Sequence, residues 1–277
     1  MSGPADQSFA ATLTHQLQTR LLGKPLHFFA TIDSTNIYAA KLAREGAAEG
    51  TVVIADCQSG GKGRLGRSWI SPPGVNLYLS AILRPPVPAA TVPQLNLLAA
   101  VAVADTIVQV CGLTPAIKWP NDVLVAGKKV CGILAEMQTE AGALRAVVVG
   151  IGVNLNAPLS AFPEELRHKA SSLFLAGDRL VDRPTFTAAL LTHLEKLYVQ
   201  WLEEGFPVLR SAWEHHAAWM IGIQITVAAA EGTVAGTVRG LDSDGALLLQ
   251  EGNSGTPRRL LAGDVTVVGG YTYGVRS

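Results

Sequence analysis

The chain has 277 residues, 48% hydrophobic and 16% charged, which excludes disordered and collagen-like classes and leaves room for one large domain plus a small one. Twenty-two Lys and Arg balance 22 Asp and Glu, so no net field draws the chain to nucleic acid or to an anionic membrane, and any anion binding must be local. Cys57, Cys111 and Cys131 lack metal or redox spacing and the first 24 residues lack an apolar leader, which together point to a reducing cytoplasm.

Leu13, Leu17 and Leu21, four apart, predict a short helix over 12–22. It is too short to be a domain, and a helix-turn-helix, which needs at least two packed helices, does not fit ahead of the first strand. Asp33-Ser34-Thr35-Asn36 offers capping side chains for a helix over 35–46, with Gly46 and Gly50 to stop it. The run Thr51 to Cys57 predicts a buried strand, followed by a glycine-rich loop from Gly60 to Gly66. Val75 to Leu83 predicts another strand, ended by Pro85-Pro86, before a helix over 92–111 and a strand over 115–118. The apolar window Leu95 to Leu113 is broken by Asn96, Asp105 and Gln109, so it reads as a buried helix and not as a membrane span.

Gly127-Lys128 predicts a turn between Val123-Leu124-Val125 and a strand from Val130 to Met137, and Gly142 marks the reversal into Leu144 to Asn154. The sheet is therefore expected to be mainly antiparallel. Asp182 and Pro184 open a helix with the apolar stripe Phe186, Leu190, Leu194, Leu197 and Trp201, closed by Gly205. After Trp219 the texture changes to short alternating strands with turns such as Asp242-Ser243-Asp244-Gly245, which predicts a main domain over 1–220 and a small β domain over 221–277.

Three blocks carry chemistry. The first, from Gln58 through Lys62-Gly63-Arg64-Leu65-Gly66-Arg67 to Trp69, follows a buried strand. Its glycines let the backbone approach a ligand, and its three cations within six positions suit a phosphate clamp. The second is Lys118-Trp119-Pro120-Asn121-Asp122 followed by Lys128-Lys129-Val130-Cys131-Gly132-Ile133-Leu134-Ala135-Glu136. In it a strand lysine beside glycine can reach an anion, and Asn121 can read a donor–acceptor edge such as adenine's. The third, Gly150-Ile151-Gly152-Val153-Asn154, ends a strand. Singly, these blocks are also compatible with an exposed basic turn, a Pro-Asn-Asp turn and a tight strand exit.

In this order and spacing they resemble the catalytic domain of the biotin–protein ligases, whose pattern has a Gly-Arg-Gly-Arg-x-Gly-Arg-x-Trp loop, a Lys-Trp-Pro-Asn-Asp block and a Gly-x-Gly-x-Asn block. Ser34-Thr35-Asn36 fits the family's short polar biotin-contacting segment, and Arg239-Gly240-Leu241-Asp242 with Gly245-Ala246-Leu247 fits its C-terminal barrel, so the resemblance covers about residues 25–270. It implies an α+β fold of the class II synthetase-like kind. The expected architecture is a mixed, mainly antiparallel sheet with helices on one face, plus a small SH3-like β-barrel, in the monofunctional form without an N-terminal DNA-binding domain. Lys62 stands where the family more often has Arg, which keeps the charge and loses the planar fork.

The resemblance also implies the chemistry. Members join biotin to ATP with Mg²⁺, release pyrophosphate and hold biotinyl-5′-AMP. They then pass the biotinyl group to a lysine of a biotin carboxyl carrier protein or of the carrier domain of a biotin-dependent carboxylase. Carried over residue by residue, Lys129, Arg64 and Lys62 would be catalytic cations, and Asp122 would help to place the metal. Ser34, Thr35, Asn36 and Gln58 would line the biotin head, and Gly61, Lys62, Gly63, Arg64, Lys129, Gly132 and Gly152 would complete that site, Gly132 leaving space for the bicyclic ring. Arg64, Arg67, Lys118 and Arg239 would hold the nucleotide, with Trp69 stacked on adenine and Asn121 and Asn154 at its edge. No DNA or membrane partner is expected, and a homodimer through a sheet edge stays open. Two rival readings are a lipoate- or octanoate-handling ligase or transferase of the same fold and a non-catalytic biotin-binding regulator. The basic loop with Trp69 and the terminal β domain weigh against the first, and the set of cations against the second. Adjacent His215 and His216 would point about 100° apart on a helix and do not make a metal pair, and His193 reads as a packing or surface residue.

Overall fold

The structure is a computed structural model and describes residues 4–229, 232–252 and 255–267. Its first helix, α1 (Pro4–Gln16), stops earlier than the leucine spacing predicts. The backbone amides of Arg20, Leu21 and Leu22 donate to the Glu195 carboxylate at 2.7–2.8 Å instead of continuing the helix, and Leu22 still enters the core fully buried. Among the described residues α1 is the only helix before the first strand.

That strand, β1 (Leu26–Ile32), was not foreseen as such; it runs parallel to β2 (Val52–Gln58), with α2 (Thr35–Arg44) as the crossover a parallel pair requires. The sheet continues with β3 (Leu77–Leu83), β4 (Pro115–Lys118), β5 (Asp122–Val125), β6 (Lys128–Glu140) and β7 (Ala143–Val153), in the order β1-β2-β3-β7-β6-β5-β4. All of its other neighbouring pairs are antiparallel, as expected.

Period-two alternation divides the sheet's side chains between two layers. Val52, Ile54, Leu79, Ala81, Val147, Val149 and Ile151 face the main core, which is filled by α1, α3 (Gln94–Cys111), α5 (Arg183–Glu204) and α6 (Phe206–Ala217). The middle of α3, Leu98 to Ala104, is completely buried, so this long apolar helix is internal, as read from the sequence. Asp182 caps α5 by accepting from the Thr185 amide at 3.0 Å, with Pro184 in the first turn and Gly205 at the end. Helix α6 was missed, although its buried Phe206, Leu209, Trp213 and Ala217 recur at helical spacing. The opposite face, with Val53, Ile82, Ala146 and Val148, is covered by α2 alone, so the helices are not all on one face. The reason lies in α2's own composition: Ala39 and Ala43 let it sit close on the sheet.

A short helix α4 (Leu173–Gly177) precedes α5, and a second sheet follows α6: β8 (Gln224–Ala229), β9 (Gly232–Leu241), β10 (Leu247–Gln250), β11 (Arg258–Leu260) and β12 (Asp264–Val267), ordered β11-β10-β9-β8-β12. Val227, Val238, Leu247 and Leu249 extend the main core into it. The Gln94 side chain donates to the Asp244 carbonyl at 2.9 Å across the junction. The turn from β11 to β12 brings Gly263 and Asp264 toward the loop after β2. Of the histidines, His216 bonds Asp105 at 2.8 Å and His193 bonds Gln109 at 2.7 Å, so both act between helices.

Candidate active site

Beyond the N-terminus of α2, the face that this helix covers is bared by glycine. The registers align Ser80, Gly150 and Leu134 in one row across β3, β7 and β6, and Tyr78, Gly152, Gly132, Asp122 and Lys118 in the next row, out to β4. Above these rows lies a cavity of about 590 Å³, a size suited to a small-molecule ligand. Its walls come from the start of α2, the 58–72 loop, the segment 157–170 and β12.

The loop closes as a hairpin. The Trp69 amide donates to the Gly61 carbonyl at 2.8 Å and the Gly63 amide to that of Arg67 at 2.6 Å, while Leu65 and Gly66 take left-handed angles at the tip. A Cβ on Gly61 would lie 2.4 Å from the Trp69 carbonyl oxygen, so glycine is required for this closure. The Trp69 indole lies flat on the bared sheet, and a Cβ at Gly152 would meet it at 2.6 Å and one at Gly132 at 2.9 Å. The space over Gly132, which the resemblance allots to a bicyclic ring, is thus filled here by the indole and the end of Lys129. The indole N–H is buried without a partner among the described residues.

Strand alternation alone would put Lys129 on the core face with Cys131 and Ile133. A bulge between Val123 and Leu124 of β5 shifts the register there, so Lys129 pairs Leu124 and its backbone binds residues 169–171. Its ammonium therefore reaches the cavity face, 2.6 Å from Asp122 and 5.4 Å from the Trp69 ring centre. Arg64 donates to Asn121 Oδ1 at 2.9 Å and to the Gly263 carbonyl at 3.2 and 3.3 Å. Burial pulls its guanidinium below the ordinary value, and Asp122 and Asp264 act in the other direction. Arg67 pairs with Asp264. Although burial works to raise the Asp264 carboxyl, its bond to Arg67 and the neighbouring cations hold it below the ordinary carboxylate value.

At the other end, Thr35 N–H donates to Gln58 Oε1 at 2.9 Å, Gln58 Nε2 to Ser71 at 2.9 Å, and Asn36 Nδ2 to Glu136 at 2.8 Å. Ser34 occupies the N-cap position of α2 without a side-chain cap bond. The capping role expected of this segment is not taken up: Ser34, Thr35 and Asn36 line the cavity instead.

The structure therefore gathers Ser34, Thr35, Asn36, Gln58, Lys62, Gly63, Arg64, Arg67, Trp69, Lys118, Asn121, Asp122, Lys129, Gly132, Gly152 and Asn154 around one cavity. Gly61 lies on its outer side, at a smaller cavity bordered by Leu134 and Glu136. Arg239 is not brought there, being an exposed residue of β9. Asn121 accepts from Arg64 at 2.9 Å and donates to the Ile133 carbonyl at 2.7 Å, so its amide positions the arginine and keeps one further N–H and one lone pair. Asn154 donates to the Ser171 carbonyl at 3.0 Å. Sequence reasoning missed the wall at Phe162, Leu166, Lys169 and Ala170 and the Asp264 strand, which carry no motif and are brought in by topology. Six Lys and Arg line the cavity against two Asp, a local excess of cations in a chain of zero net charge.

Residues 28–154 match the family model for the biotin/lipoate A/B protein ligase family, and residues 220–268 match that for the biotin protein ligase C terminal domain. The chain is 41% identical to the bifunctional ligase/repressor BirA of Bacillus subtilis over 84% of its own length and 72% of that protein. It is 38% identical to the biotin–(acetyl-CoA-carboxylase) ligase of Paracoccus denitrificans over 80% of its length and 92% of that protein. The chain belongs to the biotin–protein ligase family. The solved biotin protein ligase of Aquifex aeolicus, in complex with biotin and ATP, superposes with a TM-score of 0.77 at 28% identity, covering 88% of this chain and 99% of that one. This places the α+β fold among those of the biotin protein ligases.

Proposed function

We propose that this chain is a biotin–protein ligase that activates biotin with ATP to biotinyl-5′-AMP and transfers the biotinyl group to a lysine of a carrier domain. The observation that carries the reading is the single cavity with a neutral polar end, at Thr35 and Gln58, and a cationic end, at Lys129, Arg64, Arg67 and Lys118. In the first step a biotin carboxylate oxygen attacks the α-phosphorus, the new C(O)O–P bond forms, and pyrophosphate leaves with the electron pair of the broken P–O bond. Two anions must meet, which is unfavourable unless fixed cations neutralise the developing charge. Arg64 suits this because Asn121 and the Gly263 carbonyl hold it before any ligand arrives. Lys129 is fixed in the same way by Asp122. In the second step the neutral amine of the acceptor lysine attacks the acyl carbon, and AMP leaves.

Mg²⁺ would arrive with the nucleotide. Among the described residues no group of three or more potential ligands exists, and the two carboxylates lining the cavity, Asp122 and Asp264, are each paired with a cation. Mg²⁺ commonly takes one carboxylate plus phosphates and waters, and Asp122 suits that part. Trp69 would stack on adenine and Asn154 would offer its carbonyl oxygen to the base. Residues 1–220 would form the catalytic unit, and 221–277 the small domain that supplies Gly263 and Asp264. The carrier would be the biotin-accepting domain of a carboxylase, and the reading requires neither DNA nor a membrane. The free thiols of Cys57, Cys111 and Cys131 support a reducing, cytoplasmic setting.

The test is incubation of the purified chain with ATP, Mg²⁺, a carrier domain and biotin, lipoate or octanoate in separate reactions. The expected result is carrier mass gain and pyrophosphate release with biotin alone. Preference for lipoate or octanoate would refute the reading in favour of the rival acid, and binding of biotin without pyrophosphate release would make the protein a non-catalytic binder.

A further inference from the structure

Strand β7 stops at Val153, opposite Cys131, and the segment 166–173 takes its place beside Lys129. The Lys129 amide donates to the Lys169 carbonyl at 2.8 Å, and the Lys129 carbonyl accepts from the Ser171 amide at 2.9 Å. Both backbone groups of Lys129 thus go to this segment, which thereby sets the peptide planes on either side of the residue and the direction in which its side chain leaves the backbone. Asp122 bonds the ammonium at 2.6 Å, but a flexible four-carbon stem can swing about that contact. Where the ammonium stands relative to Arg64 therefore depends on the backbone anchor.

The segment is itself held by side chains. Ser172, fully buried and not a lining residue of the cavity, donates from Oγ to the Ala157 carbonyl at 2.7 Å and accepts from the Leu175 amide at 3.2 Å. Asn154 donates from Nδ2 to the Ser171 carbonyl at 3.0 Å. Its backbone amide donates to the Val130 carbonyl at 2.8 Å, and its backbone carbonyl accepts from the Leu173 amide at 2.9 Å. These bonds close a ring through Lys129, Val130, Asn154 and Ser171, so the segment cannot slip past Lys129 by one residue without breaking the bonds of Asn154 and Ser172. A looser tie comes from outside the ring, where Lys128 Nζ donates to the Arg167 carbonyl at 3.1 Å.

We propose that Ser172 and the Asn154 side-chain amide are positioning residues for Lys129: they fix the segment 166–173, and the segment, through the Lys129 backbone, aims the ammonium at the reacting phosphate. The inference rests on the reading of Lys129 as a catalytic cation. Asn154 thereby has a task at its amide nitrogen that is separate from any contact of its oxygen with a base. Replacing Ser172 by Ala leaves the Ala157 carbonyl and the Leu175 amide without their partner and lets the segment shift, and Lys129 follows it because both of its backbone bonds are made there.

Ser172→Ala and Lys128→Met would each be made alone and in a Lys129→Ala background, with adenylate formation followed as single-turnover pyrophosphate release. Displacing a reacting group by about 1 Å is enough to slow a reaction by one to two decades. Ser172→Ala alone should therefore slow the step about 10-fold and Lys128→Met about 3-fold, with KM for biotin kept within about 2-fold. In the Lys129→Ala background neither should change the rate by more than about 2-fold, because the group they aim is gone. Equal losses in both backgrounds would mark a merely structural role and overturn the proposal, as would no loss from either variant. Amide exchange gives a readout that does not pass through the reaction: at Lys129 and Ser171 it should quicken at least about 10-fold in Ser172→Ala, with β2 and β3 unchanged. Unchanged exchange at those two amides would refute the anchor. Melting curves show whether Ser172→Ala has folded; if it has not, Lys128→Met, which removes only the outer tie, decides by the same measurements. If Lys129→Ala alone released pyrophosphate at the normal rate, the reading of Lys129 would fail, a result distinct from failure of the anchor, which the exchange data decide.

Discussion

Gly150→Ala isolates the geometry of the polar end from its charges. Gly150 lies between Ser80 and Leu134 in the sheet, and a Cβ there would stand 2.0 Å from Asn36 Oδ1, 2.7 Å from Cγ and 2.9 Å from Nδ2. The Gly150 backbone is not left-handed, so the methyl group adds no backbone strain and the whole effect passes through Asn36. Asn36 cannot yield by a few tenths of an ångström, because Ser80 and Glu136 hold both ends of its amide. It must leave, so one oxygen of Glu136 loses its partner, the Ser80 hydroxyl keeps only Thr35 Oγ1 at 2.8 Å, and the Asn36 amide itself loses both bonds. Each buried group left unpaired costs about 1–3 kcal/mol, so a loss of about 2–5 kcal/mol is expected, of which a part is recovered where water reaches Glu136. In a chain of this size that is a fall in melting temperature of roughly 5–15 °C. Urea unfolding would give the stability, and pyrophosphate release at varied biotin would give the functional loss, expected as a rise in KM for biotin of at least about 10-fold. Gly60→Ala serves as the control, since its nearest neighbour, the Asp33 carbonyl oxygen, would lie at an ordinary 3.5 Å. If Gly150→Ala kept the stability and the biotin KM of the control, the packing of Asn36 on Gly150 would not hold in solution.

Lys129→Ala should retain the fold, because its ammonium is part-exposed, and should slow adenylate formation by roughly two to three decades in single-turnover pyrophosphate release; near-normal release would remove Lys129 from the reacting end. Asp264→Asn should lower stability by less than about 1 kcal/mol, since the pair with Arg67 is exposed to solvent. The folded Asp264 carboxyl is depressed, so its contribution is present above 3.8 and is lost as pH falls through the folded value; melting curves of the two proteins should differ at neutral pH and converge in acid. Convergence on raising the pH would contradict the assignment. Cys131 is fully buried, and burial pushes its thiol well up, so iodoacetamide at mildly alkaline pH should leave it unmodified in the folded chain while the half-buried Cys57 and Cys111 react slowly, as peptide mass mapping would show.

Most of the fold is legible because it rests on period and punctuation. The predicted strand at 115–118, the helix opened by Asp182-Pro184 and the hairpin at Gly127 all follow from local chemistry and appear within a few residues of their expected limits. The misses have local causes too. At α1 a tertiary carboxylate, Glu195, outcompetes the helix for three amides. At β1, a strand of partly exposed residues preceding a crossover gives no alternation to read. The motif residues converge on one cavity, with the exceptions of Gly61, on its outer side, and Arg239, which lies on an exposed position of β9. Its block resembles the family because it builds the small sheet, and the contact that sheet makes with the loop after β2 comes from the unremarked Gly263 and Asp264.

The places where local rules fail are the places where the cavity is built. A Ser at the N-cap of α2 that makes no cap bond, and Thr and Asn buried in its first turn, are unfavourable for the helix taken alone. Three glycines in the middle of two paired strands weaken the sheet taken alone. Each departure is explained by a group that stands in the space or uses the atom: the Trp69 indole over Gly132 and Gly152, Asn36 over Gly150, and Ser80 against Thr35 and Asn36. Lys129 shows the same from the backbone side, because an unbulged strand would bury its ammonium in the apolar core among Cys131 and Ile133, at a cost no partner there could offset. In a strand that contains Val130 the bulge is therefore the condition for a cation on the cavity face, since it leaves Val130 unpaired between the Val123–Cys131 and Leu124–Lys129 pairs.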